Sequence, residues 1–80
     1  MDANKLIRQL DGIYGVGRGK EIYSVIMPGI MADFQKLLNR AGVGKEVSEE
    51  YGLEDGKGIV SLTGRRNADG SITAEGEIRH

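Results

Sequence analysis

The stretch EIYSVIMPGIMADFQKLLNRA, residues Glu21 to Ala41, is the most apolar segment of the chain and decides its fold. Its apolar side chains recur at steps of three and four residues, which is the spacing of one broad helical face. They are Ile22, Tyr23, Ile26, Met27, Ile30, Met31, Phe34, Leu37, Leu38 and Ala41. This spacing predicts a helix.

Pro28 interrupts the pattern. Proline has no backbone N–H, and its ring collides with the carbonyl four residues earlier, here that of Ser24. We therefore expect the helix to be kinked or broken at Pro28. A buried strand over Ile22 to Met27 is the alternative, because a short apolar run that stops at a proline also fits a strand. The helix is favoured because the apolar spacing continues unchanged beyond the proline.

The apolar face of this helix is broader than one packing contact needs, so we expect part of it to contact a partner. Eighty residues is also near the lower limit at which one hydrophobic core suffices. A homo-oligomer is therefore expected. The predicted interface residues are Ile22, Tyr23, Ile26, Met27, Ile30, Met31 and Phe34.

A first helix is predicted before this stretch, because Asp2 is suited to cap a helix and apolar residues follow it with helical spacing. Gly12 and Gly15 are its candidate stops, since glycine accepts the left-handed conformation that ends helices. Lys5, Arg8, Gln9 and Asp11 are expected to face water.

The loop GIYGVGRGK, Gly12 to Lys20, is rich in glycine and precedes the central helix, where backbone N–H groups can bind an anion. It does not match the Walker A pattern, because Tyr14 stands in place of the first glycine and Glu21 in place of Ser or Thr. A flexible loop between helices is therefore favoured. The candidate anion-binding residues are Gly15, Gly17, Arg18, Gly19 and Lys20.

The segment KEVSEEYGLED, Lys45 to Asp55, is acidic. Val47 and Tyr51 are four residues apart, which predicts one or two helical turns. The carboxylate spacing lacks the pattern of a calcium-binding loop, so a solvated acidic face is favoured over a metal site. Its acidic residues are Glu46, Glu49, Glu50, Glu54 and Asp55.

The clearest strand pattern lies in Gly56 to His80. Ile59 to Arg66 and Ser71 to Arg79 flank the turn sequence Asn67-Ala68-Asp69-Gly70, which predicts an antiparallel hairpin. The pairing that places every apolar residue on one face opposes Val60 to Ile78, Leu62 to Gly76 and Gly64 to Ala74. Two strands alone are marginally stable, so the hairpin must pack on the helices or extend a sheet in a second copy.

Together these segments predict an α+β fold in a single domain of residues 1–80. N-terminal helices, one of them kinked or broken at Pro28, are followed by a C-terminal antiparallel β-hairpin. The chain has no cysteine, and its one histidine is His80, so we expect no disulfide, no metal site and no cofactor. No run of residues is apolar enough for a membrane span, and the first residues lack a signal pattern, so a cytoplasmic protein is expected.

No nucleophile stands with an identifiable base in this sequence, so we do not expect an enzyme. The favoured function is a small binding or regulatory protein that acts through protein–protein contacts, in the manner of phage inhibitors or accessory proteins. A winged-helix-like nucleic-acid-binding protein is the first alternative, although a net charge of −1 argues against it. An anion or nucleotide binder that uses the Gly15–Lys20 loop is the second. The candidate nucleic-acid contacts are Lys36, Arg40, Arg65 and Arg66.

Overall fold

Two helices begin the fold. The computed structural model of the protein describes residues Met1 to His80. Helix α1 spans Ala3–Tyr14 and helix α2 spans Gly19–Ala41. Asp2 caps α1, because its carboxylate accepts a hydrogen bond from the Lys5 N–H at 3.1 Å. Neither helix is both long enough and apolar enough to cross a membrane.

Three strands complete the fold. Strand β1 spans Val47–Gly52, β2 spans Ile59–Arg66 and β3 spans Ile72–Arg79. They form one antiparallel sheet in the order β1-β2-β3. The predicted α+β class, with helices before a β-hairpin, is confirmed.

Helix α2 continues through Pro28 without a break. The alternative of a strand over Ile22 to Met27 is therefore wrong. Proline removes one hydrogen bond to the Ser24 carbonyl, but both residues are exposed on the outer side of the helix. Water can bond that carbonyl, so the interruption costs less there than it would in the core.

The acidic segment Lys45 to Asp55 differs from its prediction. Val47–Gly52 is a strand and not one or two helical turns. It pairs with β2 over its whole length, from Val47 opposite Gly64 to Gly52 opposite Ile59. The hairpin is thus extended by a strand of its own chain.

The register predicted for the hairpin is confirmed. Val60 is opposite Ile78, Leu62 is opposite Gly76, and Gly64 is opposite Ala74. The turn closes with the Gly70 N–H bonded to the Asn67 carbonyl at 3.0 Å, and Gly70 has a φ of +87°. A residue with a side chain is strained at that angle, which is why glycine stands there.

The helices cover one face of the sheet and leave the other in water. Helix α1 contacts α2 and β3, whereas α2 also contacts β1 and β2. The opposite sheet face carries mainly polar residues, such as Ser61, Thr63 and Glu77. The core between the layers consists of Leu6, Leu10, Met27, Phe34, Leu38, Leu53, Val60, Leu62 and Ile78.

The junction of the helices depends on Gly19. A Cβ at this position would lie 2.2 Å from the Ile7 carbonyl oxygen and 2.6 Å from the Asp11 carboxylate. The same carboxylate accepts the Gly19 N–H at 2.6 Å and so caps α2. Gln9 also has a partner, because its side-chain oxygen accepts the Ile78 N–H at 2.7 Å. The expectation that Gln9 and Asp11 only face water is therefore wrong.

We expect Gly19→Ala to lower the free energy of unfolding by about 1–3 kcal/mol, because an added methyl group would force α1 and α2 apart. Gly29→Ala, in the same helix, is the matched control. Nothing lies within 4 Å of a Cβ at Gly29, and alanine is the better helix former. The free energy of unfolding of this variant should therefore rise by about 0.5–1 kcal/mol. Urea unfolding followed by circular dichroism measures both. Equal effects would contradict the tight approach of the helices.

Candidate functional site

The largest concavity of the protein is a groove of about 1000 Å³ between α2 and the segment that contains β1. We call it the α2–β1 groove. On the helix side it is lined by Ile22, Ile26 and Ile30, which are half-buried and pack against the core with their inner surfaces. Their outer surfaces form the apolar floor of the groove.

Two further residues of α2 widen the groove towards solvent. Val25 is 74% exposed, so most of its side chain lies open beside the groove floor. Gly29 is exposed and has open space where a side chain would be. A partner can therefore approach the helix backbone closely at this position.

The other wall consists of consecutive residues from β1 and the loop after it. Tyr51 is half-buried and Leu53 is 8% exposed, so this wall is also apolar near its base. The remaining lining residues are Tyr14, Arg18, Asp33, Glu50, Gly52, Glu54 and Asp55.

Two tyrosine–carboxylate pairs hold the walls together. The Tyr51 hydroxyl donates to Asp33 at 2.7 Å and links β1 to α2. The Tyr14 hydroxyl donates to Asp55, 3.0 and 2.8 Å from its two carboxylate oxygens, and links α1 to the loop after β1. Burial, followed by the hydrogen bond to Asp33, raises the pKa of Tyr51; burial and the bond to Asp55 raise the pKa of Tyr14. Both phenols are therefore neutral donors at physiological pH.

The rim of the groove is acidic. Four carboxylates, those of Asp33, Glu50, Glu54 and Asp55, stand against one guanidinium, that of Arg18. Hydrogen bonds from the Lys57 N–H and the Tyr14 hydroxyl lower the pKa of Asp55, which keeps it ionised.

Two cations partly offset this charge. Arg79 forms an ion pair with Glu50 at 2.5 Å, but both side chains are at least half exposed, so water screens the pair. The Lys57 ammonium lies 5.5 Å from the centre of the Tyr14 ring. The structure brings no three carboxylate or imidazole groups together in a way that could hold a metal ion.

The predicted interface residues divide into two sets. Met27 and Phe34 are 3% and 0% exposed, so they belong to the core of one chain and offer no surface to a partner. The other five are half-buried: Ile22, Ile26 and Ile30 line the groove, and Tyr23 and Met31 lie outside it.

The structure uses much of the glycine-rich loop for its own bonds. The Gly15 N–H donates to the Asp11 carbonyl at 2.8 Å, and Gly19 is buried with its N–H on the Asp11 carboxylate. That carboxylate occupies the helix N-terminus where an anion would bind. Gly17 and Lys20 are exposed, and Arg18 lines the groove.

The candidate nucleic-acid residues do not form one patch. Lys36 and Arg40 are exposed on the C-terminal half of α2, and Arg66 donates to Asn39 of that helix at 2.8 Å. Arg65 directly precedes Arg66 in β2, so its side chain points to the opposite face of the sheet. The winged-helix alternative counts three helical pieces before the hairpin, if the central helix is divided at Pro28. The structure has two helices, because α2 continues through Pro28.

Sequence reasoning missed Tyr14, Gly29, Asp33, Tyr51 and Leu53 as residues of one site. They come from four separate segments, and no local pattern links them. Val25 did carry a signal, because it widens the apolar face of the helix beyond a single stripe.

No protein-family model, curated protein or solved structure gives a significant match to this chain.

We expect Tyr51→Phe to lower the free energy of unfolding by about 1 kcal/mol at neutral pH, because Asp33 loses its donor. Folding raises the pKa of Tyr51, so its contribution is complete below the ordinary value of 10.0 and is lost as pH rises above it. Urea unfolding from neutral to alkaline pH should therefore show that the free energy of unfolding falls more steeply with pH for the wild type than for Tyr51→Phe.

Asp33→Asn is the control for this experiment, because it keeps an acceptor for the hydroxyl but removes the charge. The decrease in its free energy of unfolding at alkaline pH should lie between those of the wild type and Tyr51→Phe. The same pH dependence in all three proteins would contradict the role given to this hydrogen bond.

Proposed function

We propose that the protein is a non-enzymatic binding protein that holds a segment of a partner protein in the α2–β1 groove. The observation that carries the proposal is an open apolar surface on α2 that the protein's own sheet does not cover. Val25, at 74% exposed, is its clearest member. Exposed apolar surface beside a polar rim is typical of sites that bind other proteins.

The size of the groove supports a peptide-like ligand. Its volume of about 1000 Å³ is at the upper end of the range for small-molecule sites. It also extends along α2 from Ile22 to Asp33, about three helical turns. A chain segment fits an elongated groove of this kind better than a compact metabolite does.

The titratable groups of the groove support binding rather than catalysis. A general base or nucleophile needs a pKa close to the working pH. Here the raised pKa of Tyr14 and of Tyr51 keeps both phenols protonated, while the lowered pKa of Asp55 makes it a weaker base. These groups are suited to fixing the walls and to setting the charge of the rim.

Selection from a displayed library of random peptides tests this function. Peptides selected on the wild type should bind Gly29→Gln about tenfold more weakly, a loss of about 1.4 kcal/mol, because the new side chain occupies the groove. Ala32→Gln is the matched control, since Ala32 is exposed on α2 but does not line the groove. Peptides that bind all three proteins equally, or a selection that yields none, would contradict the proposal.

A second copy of the chain is the other partner that the sequence predicts. Sedimentation equilibrium of the wild type and Gly29→Gln distinguishes it from a different protein. A dimer that Gly29→Gln dissociates would place a second copy in the groove. A chain that sediments as an 8.7 kDa monomer leaves the groove free for another protein.

A further inference from the structure

We propose that the partner adds to β1 as an extended strand whose residues alternate between apolar and basic. This inference rests on the proposed function and specifies the chemistry of the segment that the groove binds. It follows from three features of the structure: a free strand edge, an apolar wall facing it, and an acidic rim.

The free edge belongs to β1. This strand pairs with β2 on one side and has no strand on its other side. The Leu53 N–H donates to the Gly58 carbonyl at 2.9 Å, which makes this pair hydrogen-bonded. Hydrogen-bonded pairs alternate along an antiparallel ladder, so Tyr51 and Glu49 bond to β2. The N–H and C=O groups of Ser48, Glu50 and Gly52 therefore point away from the sheet.

The two edges of the sheet differ. On β3 the outward N–H of Ile78 is bonded to the Gln9 side chain, and α1 contacts this strand. On β1 no backbone hydrogen bond satisfies the outward groups of Ser48, Glu50 or Gly52. An extended chain can pair with such an edge through main-chain hydrogen bonds. Only β1 offers that opportunity together with a groove.

The groove favours apolar residues at alternate positions of the added strand. Alternate side chains of a strand point to opposite faces of the sheet. On an added strand, one set would face the helix layer, where Ile22, Ile26 and Ile30 form the floor. These positions are therefore expected to be apolar.

The acidic rim favours basic residues at the other positions of the added strand. The other set of side chains would lie on the outer face beside Glu50, which already attracts Arg79. Glu54 adds negative charge at the mouth of the groove. Lysine or arginine at these alternate positions complements this charge and speeds association.

The same charges disfavour a second copy of β1 at this edge. Pairing two copies would bring Glu49 and Glu50 of one chain close to the same residues of the other. Like charges on neighbouring strands repel, and charged edge residues are a common protection against self-association. A basic segment of another protein avoids this repulsion.

The test uses a short synthetic peptide of alternating valine and lysine. Nuclear magnetic resonance of the labelled full chain should show slower amide exchange at Ser48, Glu50 and Gly52, by about tenfold at saturation. The amides of Glu49 and Tyr51, which already bond to β2, should change less. A peptide of alternating valine and glutamate should not bind, and N-methylation of the valine–lysine backbone should abolish binding.

Gly52→Pro provides the variant test, because it removes an outward N–H that makes no bond to β2. It should weaken peptide binding at least tenfold. The control is Ala68→Pro, at an exposed turn position outside the groove whose N–H makes no backbone hydrogen bond; it should bind as the wild type does. Both variants are first shown to fold by circular dichroism.

Three outcomes would overturn the inference. A helical leucine–lysine peptide that binds more tightly, with no effect of Gly52→Pro, would show that the groove takes a helix; the proposed function would then survive. Equal binding of the glutamate peptide would refute the role of the rim. Binding of no peptide at all, with no dimer, would overturn the inference and the proposed function together.

Discussion

The structure depends on one helix that has more apolar surface than its own chain can cover. Helix α2 buries Met27, Phe34 and Leu38 against the sheet. These three residues are its contribution to the hydrophobic core. The apolar band continues around the helix to Ile26 and Val25, beyond the reach of a three-stranded sheet. The hydrophobic effect fixes the helix on the sheet, and the part of the band that stays exposed is the surface on which the proposed function rests.

The surroundings of that surface are fixed by polar bonds and not by further packing. Tyr51 and Asp33 join β1 to α2, and Tyr14 joins α1 to Asp55 in the loop. A groove whose walls are already held in place loses little conformational entropy when a ligand enters. In the proposed complex, the acidic rim selects the partner by its charge. The Ile78 N–H at the β3 edge is already bonded to Gln9, so β1 is the edge proposed for pairing.

The parts of the fold that local periodicity specifies were predictable from the sequence. The register of β2 and β3 followed from the turn and from alternation, since a shift of one residue would turn the apolar side chains outward. The error over β1 has a physical cause. Val47 and Tyr51 are four residues apart, and this spacing places two side chains on one face in a helix and in a strand alike. Only pairing with β2 decides between them.

The sequence by itself determined the helix over Glu21 to Ala41, the hairpin and the α+β class, because each is encoded in neighbouring residues. Only the tertiary structure decided that Asp11 caps α2, that Gln9 closes one sheet edge, and that the other edge adjoins an apolar groove. These features join residues far apart in the chain. Their geometry depends on how the layers pack, which no local pattern of residues contains.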